Sequence, residues 1–232
     1  MLVTPLGMRC VGSKLDTKTE QPASGDGHCF LCLPSPELLF LESENFYALA
    51  GLGPVVDGYC VIAAKSHVKS MADVPAVLSD ERDAFVTLVR NKLIAMHGTC
   101  LITEHGRMTV CAAEHDYHCF HAHFLMFPGA EDISALADSY FAASEAFANL
   151  ESSLAHGALH PEYFLVSPSP TSFSVYSTPL NAPRQLARYL VAWKTGETHL
   201  ADWKTWPERG RAVRIAEKLR SAFASENDVN RS

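Results

Sequence analysis

Four of the eleven histidines lie within one short segment, HDYHCFHAHFLMFP, which covers residues 115–128. Successive side chains of a strand point to opposite faces, so the pattern predicts that His121 and His123 share one face while Phe124 and Met126 face a core. Paired imidazoles on an apolar strand can bind a metal, attack phosphorus as a nucleophile, or remain hydrogen-bonded and inert. This segment is therefore the first candidate for a chemically active site.

Cys29 and Cys32 form a CxxC pair, which serves in proteins either as half of a metal site or as a redox-active pair. A redox-active pair usually opens a helix, whereas Pro34 and Pro36 follow here and no helical pattern begins. The seven cysteines are odd in number and scattered, which argues against a disulfide framework. We therefore expect a reducing, cytoplasmic setting, in which a close cysteine pair favours a metal.

The composition excludes several classes of protein. Apolar residues make up 47% and charged residues 19% of the 232 residues, as in an ordinary globular domain. The net charge of -7 is opposite to the basic surface that a duplex nucleic-acid binder needs. No run approaches the roughly 18 apolar residues of a membrane helix, and the N-terminal residues lack the apolar core of a secretory signal. We expect neither a duplex nucleic acid nor a membrane as partner.

The periodicity of apolar side chains predicts alternating strands and helices. The predicted strands are 38–41, 45–50, 59–64, 101–104, 120–127, 163–166 and 173–176. The predicted helices are 79–97, 133–155, 183–194 and 209–224. This order indicates one α+β unit, divided into a flexible polar arm at 1–27, a core at 28–130, and a C-terminal elaboration at 131–232 that packs on the same domain.

The segment around His121 and His123 resembles the histidine-triad (HIT) motif, His-x-His-x-His followed by apolar residues and a proline. Two registers match it. If Pro128 is the family's proline, His121 is the first position, His123 the second, and Leu125 replaces the third histidine. In the other register Cys119 is first, His121 second and His123 third. We adopt the first register, because it keeps the proline spacing and leaves His121 available to a metal.

This resemblance implies an antiparallel sheet flanked by helices, with an extra strand and helix elaboration at the C-terminal end. It also implies that the middle histidine, His123, attacks the α-phosphorus of a nucleotide or nucleotide conjugate and forms a covalent nucleotidyl–histidine intermediate. His121, the neighbour of the nucleophile on the strand face, would be a second catalytic residue, and His118 would supply a hydrogen bond to phosphate that Leu125 cannot. The implied activity is that of a nucleotide phosphate hydrolase or nucleotidyl transferase, in a monomer or homodimer. The alternatives are a nucleotide phosphorylase, a catalytically silent nucleotide-binding protein, and a metal hydrolase that uses the histidines.

Residues 58–68, GYCVIAAKSHV, resemble the family segment GHxLxIPKxHV. In zinc-binding bacterial members of the family, the CxxC pair, the histidine of this segment and the first triad histidine hold a structural zinc ion. The resemblance therefore implies a zinc site formed by Cys29, Cys32, His67 and His121. If one of these ligands were wrong, the substitutes would be His28, His118 and Cys119.

The C-terminal half offers a further resemblance. Residues 183–190 together with 202–204 are similar to a PxQxxRxxLA…DWR pattern of longer histidine-triad proteins. Gln185 and Arg188 lie three residues apart and so share one face of a helix. The pattern implies that both contact the nucleotide, with a guanidinium suited to phosphate. A solvated helix face is the alternative interpretation. Glu104-His105-Gly106 also resembles an EHG sequence that precedes the HAH of some members.

Overall fold

The computed structural model describes residues 8–11, 29–107, 121–183 and 185–229. Within these ranges there are nine strands, β1 (Arg9–Cys10), β2 (Leu39–Glu42), β3 (Phe46–Ala50), β4 (Cys60–Ala64), β5 (Cys100–Gly106), β6 (His123–Pro128), β7 (Phe141–Phe147), β8 (Tyr163–Ser169) and β9 (Ser172–Pro179). All nine belong to one sheet in the order β1-β2-β3-β4-β6-β5-β8-β9-β7, and every pairing is antiparallel. Each predicted strand overlaps an observed one.

The described α-helices are α1 (Ser79–His97), α2 (Ser134–Ala137), α3 (Leu150–Gly157), α4 (Leu186–Thr195) and α5 (Arg209–Val229). Helix α1 begins with acidic residues in its first turn, and His97 lies in its last turn, as the helix dipole favours. Gly98, at a φ of 85°, ends it. No described helix combines the length and apolar character required to cross a membrane. The prediction of an α+β fold with an antiparallel sheet is confirmed.

The sheet register separates the histidines from the helical core. Phe124 pairs with Ile62 on β4, and the neighbouring strand places Phe46 on this same face, where its ring lies 6.4 Å from that of Phe85 in α1. His123 pairs with Ala63 and therefore points to the opposite face. Helix α1 thus packs behind the histidine strand and leaves His123 on the other side of the sheet.

Part of the predicted N-terminal arm is ordered. Arg9 and Cys10 pair with β2, and Met8 is fully buried. Residues 8–11 of the predicted arm therefore pack against the sheet, and the division into an arm, a core and an elaboration stays a prediction. The remainder of the arm, 1–7 and 12–27, lies outside the described residues.

The prediction of one continuous helix over 133–155 is wrong. Its alanine-rich sequence has helical propensity, but the middle of it forms β7, which pairs with β9 along its whole length. Only α2 and α3 at the two ends are helical. Pairing with a distant strand outweighs local propensity at this edge of the sheet.

A buried carboxyl group links three elements of the core. Glu104 on β5 is 2% exposed and accepts hydrogen bonds from the backbone N–H of Met71, at 2.6 Å, and from the hydroxyl of Tyr163 on β8. Burial raises the pKa of Glu104 to about 7, although both hydrogen bonds act in the opposite direction. The folded protein therefore holds this proton more tightly than the unfolded chain does.

We expect Glu104→Gln to remove a pH-dependent loss of stability. Between the ordinary glutamate pKa and about 7, the unfolded chain releases the proton first, so wild-type stability falls with rising pH by about 3 kcal/mol from this group. The glutamine variant should match the wild type near pH 5 and exceed it at pH 8 in urea unfolding. Glu81→Gln is the control, because the pKa of Glu81 is shifted in the opposite direction to that of Glu104. Burial raises the pKa of Glu81, but bonds from Ser43 and Asn45 outweigh this and lower it. The prediction would be contradicted if the free energy of unfolding had the same pH dependence in the wild type and in Glu104→Gln.

Candidate metal centre and nucleophile

Four side chains from three separate segments converge at one end of the sheet. They are Cys29, Cys32, His67 and His121, and their ligand atoms all lie within 4.8 Å of one another. We call this group the Cys–His cluster. The Nδ1 atom of His121 is 3.4 Å from Sγ of Cys29 and 3.6 Å from Sγ of Cys32, and Nδ1 of His67 is 3.0 Å from Sγ of Cys32. The four residues that the sequence predicted as one ligand set therefore form one cluster that could hold a metal ion.

The donor set and its spacing suit zinc. Two thiols and two imidazoles are common ligands of tetrahedral structural zinc sites. With Zn–S bonds of about 2.3 Å and Zn–N bonds of about 2.05 Å, a tetrahedral ion separates its sulfur and nitrogen ligands by about 3.5 Å. Three of the four sulfur–nitrogen distances, at 3.0, 3.4 and 3.6 Å, lie around this value.

The local backbone presents the two thiols together. Residues 29–33 form a tight turn in which the N–H groups of Cys32 and Leu33 both donate to the carbonyl of Cys29, at 3.0 and 3.4 Å. The hydroxyl of Tyr47, on β3, donates to the carbonyl of Leu31 and ties this turn to the sheet. The register of β3, β4 and β6 puts Tyr47 on the same face as His123. The turn therefore packs on the face of the sheet that carries the histidine.

His121 is oriented for ligation through Nδ1. It is 3% exposed, and its Nε2 lies 2.7 Å from the carbonyl oxygen of Ala64. Because a carbonyl only accepts, Nε2 carries the proton and Nδ1 presents its lone pair to the thiols. Metal-binding histidines are commonly held by such an outer hydrogen bond.

The thiol of Cys32 resists ionisation in the absence of a cation. Burial first, and then the neighbouring Cys29, raise the pKa of Cys32 to about 11. A divalent ion reverses this, because coordinated thiols lose their protons outright. The turn that carries Cys29 and Cys32 does not open a helix. This favours the metal interpretation of the CxxC pair over the redox one.

His123, the first residue of β6, is held in one tautomer. Its Nδ1 lies 2.6 Å from the carbonyl oxygen of His121, so Nδ1 donates and the lone pair is on Nε2. Burial is the largest influence on this imidazole and lowers the pKa of His123 below its ordinary value, although the bond to His121 acts in the opposite direction. The side chain is half-buried. His123 is therefore neutral near pH 7, with Nε2 as its nucleophilic nitrogen.

A second histidine lies beside His123 and was not singled out from the sequence beyond its EHG context. The pairing of Thr103 with Leu125 sets the register of β5 and β6, and two residues further along it brings His105 opposite His123. Nε2 of His105 is 3.0 Å from Oε1 of Glu162 on the segment before β8. Burial lowers the pKa of His105 despite this carboxylate. Its Nδ1 is buried and has no hydrogen-bond partner among the described residues.

The other predicted residues of the histidine segment divide into two groups. Leu125 is half-buried on β6, on the same face as His123, and offers no hydrogen bond. The predicted phosphate contact His118, and the substitute ligands His28 and Cys119, lie outside the described residues. The surroundings of His123 are thus described on the side of β4 and β5 only.

Arg188 does not lie near His123. It is 3% exposed, and its guanidinium donates to four backbone carbonyls, those of Leu52, Gly53, Leu200 and Ala201. It also lies over the ring of Tyr59, at 5.1 Å, and that ring stacks on Phe127. Phe127 is four residues beyond His123, or about 13 Å along a strand. The guanidinium therefore joins two loops, and its contacts give no support to a phosphate-binding role.

Gln185, the other predicted nucleotide contact, precedes α4 with a left-handed backbone at a φ of 57°. Its Oε1 is buried and has no hydrogen-bond partner in the described part of the chain. Gln185 lies one turn before Arg188, so the structure does not bring it to the histidines either. Its nucleotide-binding role stays a prediction.

A cavity of about 470 Å³ lies between β1 and the start of α1, where its lining includes Arg9, Glu44, Asp80 and Glu81. None of the predicted site residues lines this cavity.

Comparison with known proteins identifies no family for this chain. No family model and no curated protein match the chain. Among solved structures, the chain is similar to yeast Ap4A phosphorylase Apa2 in complex with AMP, with a TM-score of 0.41 and 13% identity over 79% of this chain and 80% of that one. This similarity is below the level from which a shared fold or activity follows.

Proposed function

We propose that this protein is a histidine-triad-type nucleotide hydrolase or nucleotidyl transferase, with His123 as nucleophile and a structural zinc ion in the Cys–His cluster. The observation that carries the proposal is the hydrogen bond of 2.6 Å between Nδ1 of His123 and the carbonyl oxygen of His121. It fixes the tautomer in which Nε2 holds a lone pair. The resemblance of the HAH segment to the triad motif adds the choice of phosphorus as the electrophile.

The first half of the reaction forms a phosphorus–nitrogen bond. The lone pair of Nε2 attacks the α-phosphorus of a nucleotide conjugate, and the bond from phosphorus to the leaving group breaks with its electron pair on the departing atom. The imidazole then carries the nucleotidyl group. The positive charge that it gains is stabilised at Nδ1–H, which donates to the carbonyl of His121.

The second half needs a group that accepts a proton from the attacking water. We assign this role to His105, which lies opposite His123 and whose Nε2–H is held by Glu162. As water attacks phosphorus, the P–N bond breaks, its electron pair returns to Nε2 of His123, and a water proton passes to Nδ1 of His105. A lowered pKa keeps that nitrogen unprotonated near neutral pH.

The zinc ion would stabilise the fold and would not contact the substrate. Cys29, Cys32, His67 and His121 would hold it, and with four protein ligands it would leave no position for substrate. His121 is both a ligand and the residue whose carbonyl fixes the nucleophile. The metal would therefore order the backbone that positions His123, which assigns His121 a structural role in place of a catalytic one.

The test is to trap the intermediate. Wild-type protein is incubated with a fluorogenic adenosine phosphoramidate or a dinucleoside polyphosphate, and the adduct is mapped by mass spectrometry without acid. We expect a nucleotidyl group on His123. In His105→Gln, where the amide still reaches Glu162 but no basic nitrogen replaces Nδ1, we expect the adduct to accumulate and turnover to slow. His199→Gln, at an exposed histidine, is the matched control.

Each other outcome changes a specific assignment. An adduct on His121 would overturn the chosen register and the zinc ligand set with it. An adduct on His123 that does not accumulate in His105→Gln would remove His105 from the reaction and leave the nucleophile in place. Product analysis with and without inorganic phosphate separates hydrolysis from phosphorolysis.

A silent nucleotide-binding protein is the second candidate, and Leu125 favours it. This residue occupies the third triad position beside His123 and cannot donate a hydrogen bond to phosphate or to a leaving group. Nucleotide binding with neither adduct nor turnover, in folded protein with its metal bound, would support this candidate and contradict an enzymatic role.

A further inference from the structure

A pair of imidazoles lies outside the Cys–His cluster, at the C-terminal end of α3. His156 is in the last turn of the helix, and His160 follows four residues later. Their Nε2 atoms are 3.1 Å apart. Both side chains are half-buried, so a small ion can approach from solvent. The proposed function uses neither residue.

The two rings are within hydrogen-bond distance, but their geometry differs from that of a straight hydrogen bond. A straight N–H···N bond of this length would hold the ring centroids about 5.4 Å apart, whereas they are 4.8 Å apart. The two ring nitrogens are therefore not directed head-on at each other. A single ion bonded at about 2.05 Å to both nitrogens would subtend about 100° and place the centroids about 4.8 Å apart. Both measured distances agree with one shared ion.

Neighbouring residues orient the two histidines for metal binding. Oε2 of Glu145 on β7 lies 3.4 Å from Nδ1 of His156, which favours the proton on Nδ1 and leaves Nε2 free to bind. A carboxylate, an imidazole and a metal in this order are a common arrangement. Arg107, paired with Asp73, donates to the carbonyl of His160 at 2.9 Å and to that of Ala158 at 3.1 Å. The loop that carries the second histidine is thus fixed.

We propose that His156 and His160 form a second metal site, for a divalent transition metal ion of the kind that imidazole prefers, such as Ni²⁺, Cu²⁺ or Zn²⁺. Two protein ligands leave the remaining positions to water or to an anionic ligand. The site shares no residue with the Cys–His cluster, and it stands whether or not the proposed function does.

The test uses the full chain with zinc already bound, titrated with Ni²⁺ by isothermal calorimetry. We expect one Ni²⁺ per chain at this site, at least about tenfold weaker binding in His156→Gln and in His160→Gln, and about tenfold weaker binding in Glu145→Gln, as for other outer-shell partners. His199→Gln should bind as the wild type does. The zinc content and thermal midpoint of each variant show that it is folded.

Glu145 is exposed, so its replacement should leave the fold unchanged and keeps the test informative if a histidine variant is unstable. Ni²⁺ binding that is unchanged in both histidine variants, or wild-type protein that binds no Ni²⁺, would overturn the proposal. Broadening of the His156 and His160 side-chain resonances alone by Ni²⁺ would support it.

Discussion

Cys29→Ser is expected to lower the melting temperature of the protein by about 10 °C or more and to abolish stoichiometric zinc binding. Cys29 is buried beside His121, and the cluster joins the turn at 29–33 to the start of β6. A bound cation would add one ligand bond from each of the four side chains to their direct thiol–imidazole contacts. A loss of about 3–5 kcal/mol corresponds to this shift in a chain of this size. Scanning calorimetry and metal analysis of the purified variant measure both effects.

His67→Ala separates loss of metal from loss of packing. His67 is the exposed member of the cluster, so its removal disturbs the core little and should act through the metal. We expect His67→Ala to bind less zinc than the wild type. Its melting temperature should be close to that of wild-type protein from which a chelator has removed the zinc. Cys10→Ser, at a half-buried cysteine outside the cluster, is the control. Full zinc occupancy in Cys29→Ser and His67→Ala would disprove the ligand set.

His123→Asn is expected to reduce turnover by at least about a thousandfold, equivalent to about 4 kcal/mol in the barrier, and to eliminate the nucleotidyl adduct. Asparagine retains an N–H group near the position of Nδ1 and can still donate to the carbonyl of His121, but it has no nitrogen lone pair to attack phosphorus. The variant should therefore keep its zinc and its melting temperature. Steady-state kinetics on the phosphoramidate measure the effect.

The pattern of kinetic constants is itself informative. Loss of the nucleophile should lower kcat and leave nucleotide affinity within a few fold of the wild type, because binding does not require Nε2. His199→Asn should retain both constants. A variant at position 123 that keeps wild-type turnover would exclude covalent catalysis by this residue, and the proposed mechanism with it.

The cluster could be predicted from the sequence because each of its parts has a local signal. A CxxC pair followed by prolines and two histidines with a single intervening residue are compact patterns, and few chemical roles suit them. The strands and α1 were predictable for a similar reason, since apolar periodicity reflects which face is buried. Four ligands from three segments still needed the family resemblance to be joined into one site.

The parts that the sequence did not reveal depend on distant partners. Arg188 bonds to the carbonyls of Leu52 and Gly53, more than a hundred residues earlier in the chain, and a backbone acceptor has no side-chain signature. The hydrogen bond of His105 to Glu162 joins β5 to the segment before β8, which lies 57 residues later in the chain. The sequence predicts a helix where β7 lies, because its alanines carry local propensity but no information about β9.

The continuity of the sheet also determines where this chain can be divided. Strand β5 hydrogen-bonds to β8 along five residue pairs, so a fragment that ends near residue 130 would leave β5 as an exposed edge. Its unpaired N–H and C=O groups would then be a template for pairing with a second chain, which is a common route to aggregation. In the full sheet the outer positions belong to the two-residue β1 and to β7, which carries the charged Glu145. The histidine-bearing half is consequently a poor choice for isolated expression.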